Sequence, residues 1–143
     1  MANRPIKFIP PKQARKLTEL AERARDSLGK YAEQEEVNYG PVGLQLLDEW
    51  IDRHLQQFPQ PSQEIITLWG AFLGETFRRK FEGEWAINMT GNKKRLGVIC
   101  PKGNKSLVFI DVMDQAQRRV RDGMSASLSF YYMTKGVDIK SGE

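Results

Sequence analysis

The sequence predicts an α+β fold: two or three N-terminal helices packed on a three-stranded antiparallel meander, with one or two short C-terminal helices. Three observations carry this. Apolar residues recur at helical spacing up to Phe77, the period shortens to two after Gly83, and helical patterns with capping residues resume after Ile110. With 143 residues, 40% of them hydrophobic and 28% charged, the chain has the size and composition of one domain with its own core.

Residues 1–11 hold Pro5, Pro10 and Pro11 around Ile6, Phe8 and Ile9. Proline removes backbone donors and biases its predecessor away from helix, so this stretch reads as an extended arm. From Lys12 the apolar positions Leu17, Leu20, Ala21, Ala24 and Leu28 form one narrow helical stripe, and Gly29 is placed to end or loosen that helix. Its other faces are nearly all charged. A thin Leu/Ala seam gains little from burial, which makes this helix a candidate docking or homodimerisation element. Residues 1–40 are therefore set apart from a single α+β domain over 41–143. Residues 31–40 read as an acidic linker broken between Asn38 and Pro41.

Leu44, Leu47, Trp50, Ile51, His54, Leu55 and Phe58 predict an amphipathic helix over 43–58, which Pro59 and Pro61 stop. Ser62 is a good N-cap and Glu64 complements the dipole of the first turn. Ile65, Leu68, Trp69, Phe72, Leu73 and Phe77 then make 63–81 the central core helix.

Beyond Gly83, Trp85, Ile87 and Met89 alternate with smaller or polar residues, Thr90 to Lys93 reads as a turn, and Leu96 to Ile99 is extended again. Pro101 to Asn104 makes a second turn before a strand over Leu107 to Ile110. Asp111 or Asp114 caps a short helix with Val112, Met113, Ala116 and Val120 on its apolar face, which Gly123 ends. Ser125 to Lys135 admits both a helix capped by Ser125 or Ser127 and an aromatic strand. The helix is preferred because Gly136 sits well as its stop.

One cysteine, Cys100, and one histidine, His54, permit neither an intrachain disulfide nor a zinc cage of thiolates and imidazoles. Cys100, before Pro101 at a strand end, reads as a buried inert thiol, and His54, beside Trp50 and Phe58, as a core-edge imidazole. The Ser and Thr residues have no base that could form a triad with them, His54 being read as a core-edge residue, and no phosphate loop, HExxH or CxxC occurs. Catalytic residues, metal ligands and cofactors are accordingly not assigned. The opening sequence has no signal-peptide core, and no run of about 18 apolar residues exists. A reducing cytoplasmic setting without a membrane partner is the expectation.

The net charge of +4 conceals banding. Residues 1–30 hold eight Lys/Arg against three Asp/Glu, residues 31–64 one against seven, and residues 65–143 thirteen against eight. The basic clusters Arg78-Arg79-Lys80, Lys93-Lys94-Arg95, Lys102 with Lys105, and Arg118-Arg119-Val120-Arg121 suit phosphate contacts if they share a face, with Phe109, Tyr131 and Tyr132 as candidate stacking rings. Gly70 and Gly74 cost the central helix about 1 kcal/mol each, so a close approach must reward them. Glu75, with Arg78 and Arg79 three and four residues on, reads first as a local ion-pair acceptor and second as a ligand-binding acid.

The run Gly70-Ala71-x-x-Gly74-Glu75-x-x-Arg78, then Trp85 opening a hairpin, an aliphatic strand, and a helix with Arg118-Arg119-Val120-x-Asp122-Gly123 resembles a small bacterial domain family of unknown function. That family is built around a Gly-Glu helix followed by a Trp strand. The resemblance covers residues 65–135; it implies an architecture and names no activity. Trp69, Gly70, Phe72, Gly74 and Trp85 are read from their spacing and size as structural positions. The expected function is a non-enzymatic module binding a protein partner, or a second copy, through its helical half or its sheet edge. The alternative is nucleic-acid binding through Arg78, Arg79, Lys93, Lys94, Arg95, Arg118 and Arg119.

Overall fold

The central helix, Gln63–Lys80, is enclosed on every side: Ile66 and all residues from Leu68 to Phe77 are buried. The computed structural model describes residues 6–103 and 106–141. In chain order these form β1 (Ile6–Phe8), α1 (Pro11–Ala32), α2 (Pro41–Gln57), α3 (Gln63–Lys80), β2 (Glu84–Asn88), β3 (Arg95–Lys102), β4 (Ser106–Ile110), α4 (Val112–Asp122) and α5 (Leu128–Ser141), with a 3-10 turn over Gly123–Ala126. The fold class is α+β as the sequence predicts. A helix apolar all round must be wrapped, and α1, α4, α5 and the sheet wrap α3.

The sheet has four antiparallel strands in the order β1-β2-β3-β4, one more than expected. The added strand is the segment read as an arm. Between the prolines, Ile6, Lys7 and Phe8 keep their N–H groups, and they pair at the sheet edge with Asn88, Ile87 and Ala86 of β2. Pro11 then starts α1 at a position where its missing N–H costs nothing. The expected turn at Pro101 is corrected too, since β3 continues through Pro101 and Lys102, opposite Leu107 and Ser106. The chain reverses at Gly103, whose φ is 67°, and Asn104 and Lys105 lie outside the described residues.

Two helix ends and one connecting segment differ from expectation. Gly29 does not end α1, which runs to Ala32 and closes with Glu33 in the left-handed region, its N–H reaching back to Gly29 and Lys30. Of the presumed linker, Val37 is buried and the Tyr39 ring lies 4.9 Å from that of Phe72. Gly136 does not stop α5: it is buried where a Cβ would come 3.3 Å from the Phe81 ring, so the helix continues. At α4, Asp111 occupies the N-cap position but its side chain makes no cap hydrogen bond, while other boundaries follow the sequence. Ser62 Oγ accepts from Ile65 N at 3.2 Å, and Gly123 closes α4 with φ 70°.

Gly70 and Gly74 receive side chains rather than backbone. A Cβ on Gly74 would fall inside the Trp85 indole, and one on Gly70 would collide with the Met113 sulfur. The notch is worth its cost, because an indole buries roughly 200 Å², or about 5 kcal/mol of transfer free energy, against about 2 kcal/mol of lost propensity for two glycines. The apolar stripe of α1 lies against α3 within the same chain, with Leu17, Ala21, Ala24 and Leu28 buried.

Two substitutions test this packing by urea unfolding. Gly74→Ala gains helix propensity of about 1 kcal/mol, yet the Trp85 ring stands where the methyl must go. A net destabilisation of about 1–3 kcal/mol is expected. Trp85→Ala should cost about 3–5 kcal/mol. Midpoints at or above the parent's would show that the indole does not occupy the notch.

Candidate functional site

Glu75, the acid singled out by the sequence, is fully buried on α3 beside the Trp85 indole. Its Oε2 accepts from Arg78 Nε at 2.6 Å, Trp85 Nε1 at 2.9 Å and Thr18 Oγ1 at 3.2 Å, and its Oε1 accepts from Arg78 Nη2 at 2.8 Å and Arg79 Nε at 3.0 Å. Burial pushes the carboxyl up, but the hydrogen bonds from Arg78, Trp85 and Arg79 outweigh it and hold the group down at about 2. Five donors on two oxygens make this carboxylate an anchor joining α1, α3 and β2. It has no lone pair to spare for a ligand. Arg79 also lies 4.3 Å from the Tyr39 ring centre, and the Tyr39 hydroxyl donates to Glu22 of α1.

Of the basic residues singled out by the sequence, Arg79 and Lys80 line one depression with Lys140. Lys93 and Lys94 are exposed in the β2–β3 turn. Arg95 pairs with Asp111 at 3.0 Å, Lys102 with Asp138 at 3.2 Å and Arg118 with Asp114 at 2.8 Å. Arg119 is inside: it is fully buried, so the helix end to which it was assigned loses one of its surface cations. The candidate stacking rings Tyr131 and Tyr132 pack on Phe77 at 6.0 and 5.0 Å, and burial pushes the Tyr131 phenol up to about 12. His54 stands edge-on to Trp69 at 5.3 Å, and Cys100 is fully buried, its thiol pushed up to about 12 by burial. Among the described residues, no group of three or more His, Cys, Asp or Glu side chains is placed to hold a metal ion, and no helix is long and apolar enough to cross a membrane.

Arg119 leads to a residue that the sequence reading missed. Asp48 of α2 is buried, and its carboxylate accepts from Arg119 Nε at 2.8 Å, Ser127 Oγ at 2.8 Å, Leu128 N at 3.1 Å and Ser129 N at 3.1 Å. Arg119 also donates to the Asp48 carbonyl at 3.0 Å and to Asp52 at 2.7 Å. One α2 acid thus caps α5 from outside while neutralising a cation of α4. A signal existed. Asp48 lies on the Leu44-Leu47-Ile51 stripe and Arg119 on the Val112-Ala116 stripe, and opposite charges on two apolar stripes are candidates to meet.

The Asp48 cap fixes which side of α5 faces inward. Leu128, Tyr132, Gly136 and Ile139 are buried, while Phe130, Met133 and Val137, at i, i+3 and i+7, are 63%, 55% and 68% exposed. Met124, also exposed, lines one depression with Phe130 and Met133. The stripe borders two depressions that share Met133. One, of about 310 Å³, is lined by Glu49, Asp52, Met124 and Phe130; the other, of about 620 Å³, by Arg79, Lys80, Val137 and Lys140. A contiguous apolar stripe with a polar rim is the surface of a protein contact more often than of solvent.

Two outcomes follow from these buried charges. Asp48→Ala removes the main partner of buried Arg119 and uncaps α5, and should cost about 3–5 kcal/mol with loss of helix signal in circular dichroism, whereas Asp48→Leu combined with Arg119→Leu recovers the ion-pair part of the loss and leaves the α5 cap unmade. Equal losses in both variants would rule out a paired role. For Glu75 the folded carboxyl lies below its ordinary 4.5, at about 2. Its contribution is complete above about 4.5 and is lost as pH falls through about 2. Glu75→Gln should therefore flatten that part of the acid-unfolding curve while lowering stability at pH 7, and an unchanged acid limb would count against the anchor.

Comparison of the chain with family models, with curated proteins and with solved structures finds no match.

Proposed function

We propose that this protein is a non-catalytic interaction module that docks a protein partner through the outer face of α5. The observation that carries the reading is the exposed stripe Phe130-Met133-Val137 on a helix whose opposite stripe is already spent on the core. Large apolar side chains lose transfer free energy in water, about 1.5–3 kcal/mol for each that a partner would cover. Three on one helix face make a groove-sized anchor set. Glu75 supports the same reading from the other direction, since its oxygens are saturated by donors of its own chain.

The α1 surface and a polyanion site rank below this one on physical grounds. The α1 stripe is buried on α3, and Arg95, Lys102, Arg118 and Arg119 all face carboxylates of the same chain. Neutralised cations release few counterions from a nucleic acid.

Photo-crosslinking side chains placed at residues 130 and 137, with residue 56 as an exposed control on α2, test the docking face in cell extract. Protein adducts confined to the α5 positions are expected. Adducts of equal yield at all three positions, or at none, would remove the support for this face.

A further inference from the structure

The charges around the α5 stripe are arranged head to tail. At the N-terminal end of α5 the depression carries exposed Glu49, Asp52 being held by Arg119, and at the C-terminal end the neighbouring one carries exposed Lys80 and Lys140, Arg79 being held by Glu75. From Phe130 to Lys140 the helix advances roughly 15 Å at 1.5 Å per residue, so the two poles are separated by more than a Debye length at physiological salt. Met133 lines both depressions and lies between them. An apolar strip with an acidic and a basic pole is complementary to itself when one copy is turned end for end.

From this polarity we infer that the occupant of the α5 face is a second copy of this chain, docked antiparallel about a two-fold axis at Met133. The inference rests on the reading of α5 as a docking face and names what docks there. Two-fold contact is isologous, each residue meeting the mirror position of its partner. Centred between residues 133 and 134, the pairing sets Phe130 against Val137 of the partner subunit and Met133 beside Thr134 of the partner subunit. Lys140 then reaches the Ser127 end of the partner, where Glu49 lies. The parallel arrangement brings like poles together instead, and like charges in contact are repelled. A different protein would need the same stripe with inverted poles, a condition that a second copy meets by symmetry.

Light scattering during size exclusion over a concentration series, on the full chain, tests this. The parent should run as a dimer that dissociates on dilution. Met133→Glu, which sets two carboxylates on the axis at an exposed position, should give a monomer with unchanged circular dichroism. Glu49→Lys and Lys140→Glu should each weaken the dimer by about tenfold, equivalent to about 1.4 kcal/mol, and the two together should restore it, because the poles are exchanged on both copies. Met133→Cys should crosslink to itself on mild oxidation, Cys100 being buried. A parent that is monomeric at every concentration, with no crosslink at residue 133, overturns the second copy; the α5 docking face then stands or falls on its photo-adducts. A dimer that survives Met133→Glu overturns the two-fold contact. If such a dimer also gives no adducts at 130 and 137, the docking face fails with it.

Discussion

The indole of Trp85 and the carboxylate of Glu75 form one joint. The ring enters α3 where Gly74 has no side chain, and its N–H bonds the acid one residue further on. Each half needs the other. Without the notch the ring cannot reach the helix backbone, and without ring, hydroxyl and guanidinium donors a fully buried carboxylate is intolerable, since an unpaired charge in the interior costs several kcal/mol. The same two oxygens hold Thr18 of α1 and the arginines that close α3. Sheet, first helix and central helix are therefore referenced to a single point, which explains why a helix with three cations in its last turn ends at a fixed place against the first long strand.

A second joint does for the C-terminal half what the first does for the N-terminal half. Asp48 gathers an α4 guanidinium, a serine hydroxyl and two backbone N–H groups at the start of α5. A buried ion pair is weak evidence of stability in itself, because its desolvation offsets most of its attraction. Its value is specificity: only one rotation of α5 brings the N–H groups of Leu128 and Ser129 to the acid. That rotation buries Tyr132 and Ile139 and leaves Phe130, Met133 and Val137 outside.

What was legible in the sequence was local. Ser62 as a cap, the run from Leu68 to Phe77 as core, the glycines as a site of close approach, Trp85 in a strand and Gly123 as a stop each follow from neighbours within one or two turns. The misses share the opposite property. β1 is defined by a register with residues about eighty positions away, and prolines on both sides masked it. Gly136 looks like a terminator until Phe81 is placed beside it. Arg119 reads as a surface cation because its counter-charge stands 71 residues earlier, and Asp48 draws no notice because its partners lie 71 to 81 residues later. The outer face of α5 was hidden for another reason: its apolar residues fall on both sides of the helix, so periodicity alone does not say which side is inside.

The order in which the chain leaves the ribosome gives the second joint a further meaning. Asp48 emerges long before its partners, which lie 71 to 81 residues downstream, and α3 emerges before the tryptophan that fills its notch. A nascent chain that ends short of residue 119 holds an acid on an apolar helix face without its guanidinium, so packing α2 at that stage carries the cost of an uncompensated buried charge. Full satisfaction of Asp48 waits until the C-terminal part of the chain exists. The interval in which α3 stands uncovered is the period when this polypeptide most needs protection from its neighbours.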